Sequence, residues 1–108
     1  MKNPHLSLEH IREAIRFILE HAKSKKNLLR DPVLRFAVER NLTVIGEAAK
    51  RVPESFQKQH ADIPWKEMAG MRDLMVHQYD GIDINEVWSA IENDMPEVLG
   101  MIDRILQK

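Results

Sequence analysis

Gly70-Met71-Arg72-Asp73-Leu74-Met75-Val76-His77-Gln78-Tyr79 is the stretch whose reading decides the fold. Placed on a helix at about 100° per residue together with Trp65, Met68 and Ala69, its apolar residues cover roughly 220° of the circumference. A helix packed on one side needs a stripe of only about 100°, so this one is expected to be covered from two directions, by its own domain and by a second body. Arg72 and Tyr79, seven residues apart, fall inside the apolar arc. Asp73 and His77, four apart, share the polar face, where the carboxylate can orient the imidazole. A guanidinium and a phenol set among Met and Trp are the anomaly that calls for a functional reading.

The rest of the chain reads as helices on either side of this one. Ser7 is the expected N-cap of a first helix, after a short tail broken at Asn3-Pro4. Leu8, Ile11, Ile15, Ile18, Leu19 and Ala22 follow at helical spacing to about Lys23, and Ser24 to Asn27 reads as a turn. Asp31-Pro32 is a strong start signal, an acid at the N-cap before proline at the first helical position. Leu34, Val38, Leu42, Ile45, Ala49 and Val52 then mark one face of a helix that stops at Pro53. Gly46 interrupts it at about 0.5–1 kcal/mol relative to Ala, which points to close approach of another helix. A short helix over 53–61 and a turn at Asp62-Ile63-Pro64 lead into the central helix, which should end near Gly81. In the last helix Ile84, Trp88, Ile91, Met95, Val98, Ile102 and Ile105 alternate at spacings of four and three, a bundle seam. Pro96 predicts a kink near Glu92–Met95. No stretch alternates like a strand. The expected architecture is a single all-α domain over residues 1–108, an antiparallel bundle of four to five helices.

Composition narrows the chemistry. Apolar residues make up 44% of the 108 and charged residues 31%, and there is no cysteine to form a disulfide, thiol nucleophile or Cys-based zinc site. No run approaches the ~18 apolar residues of a membrane span, and the N-terminus shows no signal-peptide core, so a cytoplasmic protein with no membrane partner is the expectation. Net charge is −1, but it is unevenly spread. Residues 23–40 hold six cations against two acids, and residues 80–108 hold seven acids against two cations. Two solvated faces would account for this. So would a basic edge for a phosphate backbone, or opposite patches meeting across an oligomer interface.

His5, His10, His21 and His60 read as surface residues with no metal-ligand spacing, and no phosphate loop or nucleophile motif is present. No cofactor is expected. What remains is Arg72 with Asp73, His77 and Tyr79. Metal-free RNA cleavage needs a base for the 2′-hydroxyl, an acid for the leaving oxygen and a cation for the crowded phosphate. Histidine exchanges protons near neutral pH, and arginine meets phosphate oxygens two at a time. One chain offers one such pair, and two copies would supply two. Purely structural roles for Arg72 and His77 fit the residues as well. Glu47 reads as a solvated acid or as a partner for Arg72.

Arg72-Asp73-Leu74-Met75-Val76-His77-Gln78-Tyr79 resembles the Arg-x4-His-x-Tyr motif of the HepT-like branch of the HEPN superfamily. The likeness extends to Arg40-Asn41-Leu42, Ile45-Gly46-Glu47-Ala48, Ile63-Pro64-Trp65, Val87-Trp88 and Asp94-Met95-Pro96, covering roughly residues 5–105. It implies an all-α homodimer whose two motifs face one cleft. It further implies a ribonuclease toxin of a prokaryotic toxin–antitoxin pair, with RNA as substrate and a minimal nucleotidyltransferase as the antitoxin. By this resemblance Arg72 and His77 are the catalytic pair, Asp73 assists them, Asn41 and Glu47 support the site, and Tyr79 accepts AMP from the antitoxin. The added phosphates would fill the cleft with negative charge. The alternative is a non-catalytic binding subunit of a nucleotidyltransferase complex.

Overall fold

The computed structural model describes residues 3–73 and 84–107, and all the regular structure among them is helical. Helix α1 spans Pro4–His21, α2 Lys25–Arg30, α3 Pro32–Arg51, α4 Glu54–Gln59 and α5 Trp65–Ala69. A single 3-10 turn, Gly70–Arg72, follows α5. After the motif stretch come α6, Ile84–Ser89, a π-helical turn at Ala90–Asp94, and α7, Met95–Leu106. Helix α1 packs along α3 and against α7, while α3 also carries α5 and the 3-10 turn.

The helix starts are written in short polar side chains. Asp31 caps α3, its Oδ1 accepting from the backbone N–H of Leu34 at 3.1 Å, as its sequence predicts. Asn3 does the same for α1, accepting from the N–H of His5 at 2.9 Å, with Pro4 next in line. Asn3-Pro4 is therefore a start signal of the same kind as Asp31-Pro32, and the cap of the first helix lies four residues before the expected Ser7. Ser7 is instead buried within α1.

Where a plain turn was expected, residues 25–30 make a further short helix. Ser24 caps it by accepting from the N–H of Asn27 at 3.0 Å. Its last carbonyls are satisfied from α3, because Arg35 Nη1 donates to the oxygens of Leu28 at 3.1 Å and Leu29 at 2.6 Å. Six residues are too few to hold a helix unaided. This one stands because Leu28 is buried and Arg35 ties down its end.

The core is aliphatic. Leu8, Ile11, Ile15 and Ile18 of α1 meet Val38, Leu42 and Ile45 of α3 and Met95, Val98 and Ile102 of α7, all of them buried. Arg12 and Arg16 approach Asp103 at 3.9 and 3.5 Å and draw α1 towards α7 at the surface. The kink expected before Pro96 takes the form of the π turn. Pro96 has no N–H to give and its ring crowds the carbonyl four residues back, and a widened turn relieves that crowding. The inserted residue shifts the seam, so Val87 is fully buried while Trp88, expected inside, is only partly covered.

Truncating the core should show its weight. Leu42→Ala is expected to lower unfolding free energy by about 2–5 kcal/mol, and Asp31→Ala by about 1 kcal/mol, in urea titrations followed by circular dichroism.

Candidate active site around Arg72

The motif enters the described structure through its first two residues, and their position is set by contact with α3. Gly46 is buried against the end of α5. A Cβ built on Gly46 would lie 3.1 Å from the carbonyl oxygen of Ala69 and 3.2 Å from both N and Cβ of Arg72. The close approach inferred from a glycine inside a helix is therefore made by the backbone that carries Arg72. Nearby, Trp65 Nε1 donates to the carbonyl of His60 at 3.0 Å, and Met68 and Met71 are buried, so α5 is pinned along its length.

A continuous α-helix from Trp65 was expected, and the structure departs from it at Gly70. The 3-10 turn advances by about 120° per residue rather than 100°, so three residues rotate everything beyond them by about 60°. Met71 is thereby buried, and Arg72 is carried away from the centre of the apolar arc. Its side chain is 44% exposed, not enclosed among Met and Trp. Asp73, 51% exposed, lies 3.5 Å from Arg72 Nε through Oδ1. An ion pair this open contributes little to stability. It does engage the Nε edge, while Nη1 and Nη2 make no other hydrogen bond or ion pair among the described residues. Those two nitrogens are the fork that meets phosphate oxygens in pairs.

His77 and Tyr79 lie outside the described residues, as does the Asp73–His77 pairing expected from their spacing. Of the supporting residues, Glu47 is exposed on the turn of α3 that bears Gly46, and no ion pair joins it to Arg72. Asn41 donates from Nδ2 to the carbonyl of Ala37 at 2.8 Å and lines a shallow groove with His10, Phe17 and Val44. At 100° per residue that puts it about 140° round α3 from Gly46, on a different side from Arg72.

Charge around Arg72 is lopsided. The groove between α5 and α6 is walled by Glu67, Glu86 and Asp94 with Met71 at its base, so an anion arriving that way meets carboxylates. On the α3 side the exposed residue one turn beyond Gly46 is Lys50. Lys50 was not singled out from sequence. The Gly46-x3-Lys50 spacing, one helical turn, was the available signal that a second cation shares the side against which Arg72 packs.

Comparison with known proteins bears directly on this arrangement. Residues 8–105 match the family model described as Ribonuclease HepT-like. The chain belongs to the HepT-like ribonuclease family. A relative from Caldanaerobacter subterraneus subsp. tengcongensis that carries a provisional RNase name is 42% identical, the match covering 100% of this chain and 98% of the relative. A Thermococcus cleftensis protein, provisionally named ribonuclease HepT, is 40% identical over 97% of this chain and 98% of its own length. A Methanocaldococcus jannaschii protein, named as a gamma-glutamylcyclotransferase and, provisionally, an RNase, is 35% identical over 99% of this chain and 49% of its own length. No solved structure matches. The HepT-like assignment agrees with the resemblance in the motif, and the all-α bundle agrees with the expected fold. No helix among the described residues is long and apolar enough to cross a membrane.

The contact at Gly46 is testable against its neighbour. Gly46→Ala is expected to destabilise by about 1–3 kcal/mol through overpacking, offset by about 0.5–1 kcal/mol of helix preference. Gly70→Ala, whose added Cβ meets nothing within 4 Å, should leave the urea midpoint unchanged or raised.

Proposed function

We propose that this HepT-like chain is a metal-independent endoribonuclease toxin that works as a homodimer, with a composite site built from Arg72, Asp73 and His77 of two protomers. The observation that carries the reading is the family match over residues 8–105 together with an intact Arg72-x4-His77-x-Tyr79 motif. The half-exposed guanidinium of Arg72 and its fork, unoccupied among the described residues, support a phosphate-binding role.

In the proposed reaction a histidine removes the proton from a ribose 2′-hydroxyl, and the oxygen attacks the adjacent phosphorus. The bond from phosphorus to the 5′-oxygen breaks, and a second proton donor, His77 of the other protomer, protonates that leaving oxygen. The products are a 2′,3′-cyclic phosphate and a free 5′-hydroxyl. Arg72 offsets the charge that gathers on the non-bridging oxygens at mid-reaction, when two bonds to phosphorus are partly made. Asp73 holds the cationic groups in place.

Regulation follows from the same cleft. A partner nucleotidyltransferase transfers AMP from ATP to the phenol oxygen of Tyr79 with release of pyrophosphate. The attached phosphate then occupies the place that RNA phosphate needs and repels the substrate.

Incubating the purified protein with cellular RNA in EDTA tests the chemistry. Cleavage is expected from the wild type and should fall by about 100-fold or more in His77→Ala and in Arg72→Ala. Equal cleavage by all three, or none by the wild type, would leave a binding subunit as the better description. Co-expression with a nucleotidyltransferase encoded beside it should add AMP at Tyr79, mapped by mass spectrometry, and lower cleavage in step with occupancy.

A further inference from the structure

Helix α5 packs on α3 and α7 packs on α1, and a groove is left between α5 and α7. From one side come Asp94, Glu97, Val98 and Met101, spaced i, i+3, i+4 and i+7, so they share one helical face. From the other side come Asp62, Glu67 and Met71, the last carried by the 3-10 turn. Val98 and Met71 are buried and make the floor, Met101 is half-buried, and apolar atoms form most of the lining. The four carboxylates are exposed residues at its edges. None of them belongs to an ion pair among the described residues, and residues 74–83 contain no lysine or arginine to supply one. Asp62 and Met101 also line the hollow that holds His60 and Arg104, while Glu67, Met71 and Asp94 also line the groove between α5 and α6. The three hollows therefore run on from one another as a trough, in which Arg104 is the one lysine or arginine among the described lining residues.

We propose that this groove receives a cationic amphipathic helix of a protein partner. Its apolar side chains sit over Met71, Val98 and Met101, and its lysines or arginines meet Asp62, Glu67, Asp94 and Glu97. The groove encloses about 240 Å³. That is less than the roughly 300–1,000 Å³ of a site that engulfs a small molecule, and suits an anchoring side chain on a larger partner. An amphipathic helix fills such a groove with anchors at one face, and methionine adapts its shape to them. Charge excludes the other occupants. RNA and an anionic lipid surface would set phosphates against four carboxylates. A divalent cation lacks a cage, since no three acidic or histidine side chains among the described residues converge to hold one. The most basic helix of this chain, α2, cannot be lent by a second copy, because its Leu28 is buried in its own core and only Leu29 is left outside. The inference stands apart from the RNA chemistry proposed above.

The test uses the full chain and a fluorescein-labelled peptide of about five helical turns, made of lysine with leucine at i, i+3, i+4 and i+7, read by anisotropy. A scrambled peptide of the same composition is the control. The ordered peptide is expected to bind about tenfold or more tightly than the scrambled one, with affinity falling as salt is raised. Binding should weaken by about tenfold or more in the pair Glu67→Lys with Glu97→Lys, and to a lesser extent in Glu67→Gln with Glu97→Gln. Glu13→Lys with Glu20→Lys on the exposed side of α1 changes net charge equally and should leave binding as it was, and circular dichroism confirms that each variant is folded. A benzophenone at the peptide's apolar centre should crosslink to Met71 or Met101, mapped by mass spectrometry. Equal binding of the ordered and scrambled peptides, or equal loss in the two lysine pairs, would overturn the proposal by reducing it to net charge. Crosslinks confined to other helices would overturn the site. Self-association of the wild type that only the groove pair abolishes would give the groove to a second copy instead.

Discussion

Everything at the candidate site depends on a van der Waals limit. Helix α3 lacks a side chain at Gly46, and the carbonyl of Ala69 and the backbone of Arg72 come to within about 3 Å of where one would be. The reaction proposed for Arg72 is one in which a small misplacement of a charge weakens catalysis severely. Holding that residue through its own backbone against a rigid twenty-residue helix is a more exact restraint than a side-chain hydrogen bond could give. The long helix is in turn fixed by the aliphatic layer it shares with α1, so core stability and placement of the guanidinium are one problem.

Much of this could be read from residue order. The Asp31-Pro32 start, the apolar face of α3, the close approach at Gly46 and the disturbance before Pro96 each follow from local chemistry that acts over a few residues. The departures share a cause: they are settled by contacts between elements distant in sequence. Residues 25–30 are helical because Arg35 reaches back to their carbonyls. Trp88 sits at the edge because a π turn changes the count. Arg72 is open because three residues wind more tightly than a uniform wheel allows. The polar set at 72–79 was legible as an anomaly, and the role proposed for it draws on the resemblance rather than on periodicity.

The uneven charge of the chain also gains a place in space. Carboxylates from α5, α6 and the π turn wall the groove beside Gly70 and Met71, whereas the exposed Lys50 lies one turn along α3 from Gly46, on which Arg72 packs. A protein with net charge −1 can still receive a polyanion if repulsion is confined to one approach and attraction to another. In the proposed reaction, local field rather than total charge governs the approach of phosphate to the guanidinium.

The π turn has one more setting. It joins α6 to α7 without a break, and both helices bury residues in the aliphatic layer, Val87 from the first and Met95, Val98 and Ile102 from the second. What steadies the beginning of α6 is α2, through the bond from Lys25 Nζ to Asn85 Oδ1 and the buried Ile84. The described residues on either side of 74–83 are thus held through Gly46 and through α2, both belonging to the same half of the chain. Residues 24–51 form a bracket that sets the places where that stretch departs and returns.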